Sequence, residues 1–108
     1  MKHLIAGLLS VAALSAAPAP QTFIGTITDE MCGKAGHSSM RMGPTDADCA
    51  HACVSAHGAS YVLYDGTEVY TLSNQSLAQR FAAQRVRVVG TLDAKTKTIQ
   101  VESIAEAK

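Results

Sequence analysis

The chain has 108 residues, 9 of them lysine or arginine and 9 aspartate or glutamate, so its formal charge is zero. The basic residues are scattered, which leaves no stripe to neutralise phosphates and argues against nucleic acid as a partner. The length allows one small domain and little more, and the three cysteines leave one unpaired after any single bridge.

Residues 1–16 read as a signal peptide: Lys2 supplies the basic start, Leu4 to Leu14 the apolar run, and Ser15 to Ala17 the small residues at which the chain is expected to be cut. The run is short for a bilayer crossing and no second apolar segment follows, so no membrane span is expected. No cysteine closely follows the run, which disfavours lipid attachment. The expected location is periplasmic or secreted. Loss of Lys2 leaves a slightly acidic mature chain of about 90 residues, small enough to want a covalent or metal staple. Residues 17–21 form a Pro/Ala-rich linker and residues 22–108 the domain.

Thr22 to Thr28 alternates and is β-branched, a first strand with Gly25 at the place for a bulge or bend. Asp29 to Thr45 has no period and reads as a loop, in which Asp29 and Glu30 look like a solvated turn. A helix follows, opened by Thr45 as N-cap with Asp48 three residues on and stopped by Gly58. At helical spacing Cys49, Ala50, Cys53, Val54 and His57 share one face, while Asp48, His51 and Ser55 point away. His51 is therefore expected at the surface.

Tyr61 to Tyr64 and Glu68 to Leu72 flank Asp65-Gly66, a strong hairpin signal. Ser73 or Asn74 caps a short helix that buries Leu77 with Phe81. Arg85 to Leu92 and Lys97 to Ile104 alternate again around a D-A-K-T turn. The fold class is β, or small α+β. Its expected architecture is a five-stranded OB-like barrel, with a cysteine-bearing loop and helix inserted between strands one and two and a short helix between strands three and four. A small sheet that never closes is the alternative.

Cys49 and Cys53 lie one turn apart, so both sulfurs can face one ion, and Cys32 with His37 from the loop would complete a Cys3His set. His57 is the alternative fourth ligand. Met31, Met40 and Met42 crowd the same loop, and Met40 and Met42 are candidate outer contacts in a soft-donor set that suits copper as well as zinc. The competing reading is a disulfide from Cys32 to Cys49 or Cys53, worth on the order of 3 kcal/mol in a loop of this size. Thiol redox chemistry is a third reading, with Cys49 near the helix N-terminus as thiolate and Cys53 resolving, although the spacing is not C-x-x-C. No phosphate loop, G-x-S-x-G or H-E-x-x-H occurs.

Met31-Cys32-Gly33, His37, Cys49, Cys53-Val54, Gly58 and Tyr61-Val62-Leu63 together resemble the pattern of an uncharacterised family of small exported bacterial proteins with an OB-like domain. The likeness runs from Gly25 to about Ile104. It implies a barrel with a cysteine-bearing insertion and carries no established activity. The expected function is thus a small exported non-enzymatic protein that binds copper or zinc through its Cys/His site. The alternative is a disulfide-stapled binding module for a protein or envelope partner.

Overall fold

The structure is a computed structural model that describes residues 19–32 and 45–107. Five strands and two helices follow one another as β1 (Gln21–Asp29), α1 (Asp46–His57), β2 (Tyr61–Tyr64), β3 (Val69–Leu72), α2 (Gln75–Gln79), β4 (Arg85–Asp93) and β5 (Thr98–Glu106). The element order is the expected one. Residues 1–18, including the expected signal peptide and the first two residues of the linker, lie outside the described residues.

The strands form one sheet that closes in a ring, in the order β1-β2-β3-β5-β4 and back to β1. Closure requires β1 to serve two neighbours: Gln21 to Thr26 pair with β4, and Thr26 to Asp29 pair with β2. The open-sheet alternative is thereby set aside. All pairings are antiparallel except β3 with β5, where Thr71 meets Thr98 and Leu72 meets Ile99. Period-two burial is clearest along β4, where Val86, Val88 and Gly90 face inward between exposed Arg85 and Arg87. Ile27, Leu63, Leu72, Val86, Val88 and Ile99 fill the interior, each at most 1% exposed.

Glycine is needed where strands crowd. Gly25 lies beside the point at which β1 passes from β4 to β2, and a side chain there would meet the backbone of Tyr64. The bulge itself falls at Val89/Gly90, and a Cβ on Gly90 would collide with the Gln100 carbonyl.

At the end of β2, Asp65 Oδ1 accepts from the backbone N–H of Thr67 and Glu68 at 2.8 and 2.7 Å, so the hairpin turn is held by the aspartate side chain. In α2, Asn74 is the cap, its Oδ1 accepting from Leu77 N–H. Gln75, the first residue of that helix, clamps it to the sheet: its side chain accepts from Tyr61 N–H and donates to the carbonyls of Tyr61 and Leu72. Leu77 and Phe81 pack partly buried against the core, as their spacing predicts.

Gly90→Val is expected to lower stability by roughly 1–3 kcal/mol, because the new side chain overpacks a strand crossing that has no room for it. Chemical denaturation read by circular dichroism checks this, and a midpoint equal to that of the unmutated chain would contradict the tight crossing.

Candidate metal centre

The cluster is assembled from the end of a strand and the face of a helix. Thr45 Oγ1 accepts from Asp48 N–H at 3.1 Å, the predicted N-cap, and acidic Asp46 and Asp48 complement the N-terminal end of the helix dipole. Gly58 ends α1 in the left-handed conformation at φ 69°, a region that favours glycine. Between these stops, Cys49, Ala50 and Cys53 are fully buried, and the helix lies against β1.

Ala50 joins the core inside the sheet. Cys49 and Cys53 turn instead toward Cys32, and these three residues form a separate buried patch with Ala59 beside them. The three sulfurs all lie within 4.8 Å of one another. Each cysteine is at most 1% exposed, and no disulfide joins any two of them. The competing reading, a bridge from Cys32 to Cys49 or Cys53, is not formed.

These separations suit an ion. A tetrahedral metal with sulfur at about 2.3 Å spaces its ligand sulfurs by about 3.8 Å, within the limit that the cluster meets. A disulfide would need two of the sulfurs drawn to about 2.05 Å. Three buried cysteines are thus positioned to hold a metal ion.

Asp29 is the residue that the sequence reading misplaced. Taken as part of a solvated turn, it is instead the last residue of β1 and 0% exposed. Its Oδ2 accepts from the backbone N–H of Met31 and of Cys32, both at 3.0 Å, and its backbone carbonyl accepts from Cys32 N–H at 3.2 Å. A tight turn results, and it brings Cys32 back toward the helix. The Cys53 thiol donates a hydrogen bond to the same carboxylate. The signal was present in the alternation: Asp29 is in phase with Phe23, Gly25 and Ile27, so one more strand residue carries it inward. Glu30 does lie at the surface, where its carboxylate accepts from Ser60 N–H at 2.7 Å and ties the turn to the approach of β2.

Burial and the neighbouring Asp29 charge, in that order, push the Cys32 thiol up to about 12, with smaller contributions from Cys49 and Cys53. Cys53 is raised by the same two causes and by its hydrogen bond to Asp29, against a small lowering contribution from Cys32. These two thiols are protonated at neutral pH. A metal must displace their protons, so binding strengthens as pH rises.

His51 also departs from expectation. It is half-buried, with Nδ1 2.6 Å from the Tyr61 hydroxyl and its ring edge-on to the tyrosine. The inward face of α1 is wider than one stripe because β2 begins beneath it. Tyr61 pairs with Asp29 across β1 and β2, and burial together with the Asp29 charge raises its hydroxyl pKa. His57, in contrast, is exposed in the last turn and lies outside the sulfur cluster. Met31 is 41% exposed. His37, Met40 and Met42 fall outside the described residues.

No protein-family model, curated protein or solved structure matches this chain.

Without metal and under reductant, the raised Cys32 and Cys53 thiols stabilise the fold in their protonated form. That stabilisation is complete below the ordinary thiol value of 9.0 and is lost as pH climbs toward about 12. Urea midpoints measured across alkaline pH should fall over this window and fall less for Cys32→Ser. At neutral pH, alkylation of all three cysteines should be slow until urea unfolds the chain, whereas fast modification of the folded protein would contradict their burial.

Proposed function

We propose that the protein is a small exported, non-enzymatic binder of a thiophilic metal ion, zinc or copper(I), through Cys32, Cys49 and Cys53. The observation that carries this reading is the mutual approach of three buried sulfurs, one from the turn after β1 and two from α1. Three sulfurs in one dry patch are more than a single bridge uses, and they form a donor set characteristic of zinc and copper(I) sites.

His37, five residues after Cys32 in the chain, is the proposed fourth ligand, with Met40 and Met42 as outer donors for copper. His57 is the weaker choice, given its exposure at the helix end. Export rests on the features of residues 1–16. An OB-like architecture is supported by the ring order, the parallel β3–β5 pair and the helix between β3 and β4. A thiol oxidoreductase is disfavoured because such enzymes use an accessible thiol, and Cys49, the candidate nucleophile, is 0% exposed, while its partner Cys53 is buried and raised.

Native mass spectrometry of the protein from an exporting host, paired with a thiol count before and after chelation, tests the reading. One bound ion per chain and three reduced cysteines are expected, with metal retention abolished by joint Cys49→Ser and Cys53→Ser replacement. A metal-free mass two hydrogens light, with one titratable thiol, would instead identify a disulfide-stapled module whose function lies in a protein or envelope partner.

A further inference from the structure

The cluster offers a fixed number of donors. Among the described residues it consists of three sulfurs, one from the turn after β1 and two from α1, and the side chain packed beside them, Ala59, supplies no fourth. Cys49 and Cys53 stand one turn apart on a single helix face and Cys32 closes the third side, with no two sulfurs more than 4.8 Å apart. All three residues are at most 1% exposed, so a guest held there gives up its water.

Donor count and burial select between kinds of guest. A tetrahedral cation wants a fourth ligand, whereas a trivalent centre that keeps a lone pair forms a trigonal pyramid, which three soft ligands complete. Charge points the same way. On three thiolates zinc leaves one unit of negative charge and copper(I) leaves two, and charge left in a dry patch is costly. A trivalent centre leaves none.

Resting on the metal-site reading above, we propose that Cys32, Cys49 and Cys53 also take up trivalent arsenic, delivered as uncharged arsenous acid and held as a tris-thiolate. The exchange is a condensation. Three S–H and three As–O bonds break, three As–S bonds form, and each thiol proton leaves with a hydroxyl group as water. Arsenic stays trivalent and the sulfurs keep their oxidation state, so neither oxidant nor reductant takes part. Guest and product are both neutral, so entry into the patch does not require water to be stripped from an ion.

Mass spectrometry of the full chain reads the stoichiometry directly, with sodium arsenite as the probe and a phosphine as the reductant, since dithiol reductants sequester arsenic. The native chain is expected to gain one arsenic and lose three hydrogens. Capture by two thiols alone would leave a hydroxyl group on the arsenic, at a different mass, and would overturn the proposal. The single variants Cys32→Ser, Cys49→Ser and Cys53→Ser are expected to retain that hydroxyl or to take up no arsenic. Uptake in these variants equal to that of the native chain, in mass gain and in affinity, would overturn it. The native-chain mass decides the matter by itself should a variant not fold.

Competition shows whether the site is shared. The arsenic-loaded chain is expected to lose its zinc uptake, and simultaneous binding of both would contradict a common set of sulfurs. A native chain that binds zinc but ignores arsenite would overturn the proposal and leave the metal site standing. One that takes up neither would overturn the site itself.

Discussion

A buried carboxylate needs donors, and those that Asp29 Oδ2 finds belong to the turn that carries Cys32. Its Oδ2 holds the N–H groups of Met31 and Cys32, which folds the chain back at the end of β1, and the Cys53 thiol points at it from α1. An uncompensated buried charge costs several kcal/mol, so turn and helix are constrained together rather than separately. The ring of strands supports the same point from below: Asp29 is paired with Tyr61, whose backbone is gripped by Gln75 of α2 and whose hydroxyl meets His51 of α1.

The domain consequently has two cores of different chemistry. Aliphatic residues fill the ring, with Ile27, Leu63, Val86, Val88 and Ile99 inside it. The sulfur patch lies outside that core, between the end of β1 and α1, and contains small side chains that bury little apolar area. Such a patch contributes modestly to stability while its thiols are protonated and apart. Ion coordination would add binding free energy to folding free energy, which is the staple a domain of this size benefits from. In an oxidising compartment it would also withhold the thiolates from disulfide exchange, because sulfur bound to metal is not available as nucleophile.

Much of this architecture was legible in the sequence. Thr45 and Gly58 mark the helix ends because capping and the left-handed stop are local chemistry, and the alternation in β4 and β5 reports a sheet with one buried face. Cys49 and Cys53 were placed on the inward face by helical geometry alone. The rest depended on tertiary contacts that no local pattern encodes. Asp29 looked like a turn residue because acidic side chains seldom enter a core, and the turn N–H groups that its Oδ2 accepts from are visible only in three dimensions. His51 lay off the predicted stripe because the helical wheel contains no information about where β2 starts. For the same reason the choice between bridge and cluster needed three dimensions: both use Cys32, Cys49 and Cys53, and only the sulfur separations and the absence of a bond distinguish them.

X-ray absorption at the zinc edge of the zinc-loaded, reduced protein tests the central claim most directly, since it counts the sulfur atoms around the ion. The account predicts three sulfur scatterers at about 2.3 Å with one lighter atom completing a four-coordinate shell. A shell made only of nitrogen and oxygen, or one with a single sulfur, would contradict it.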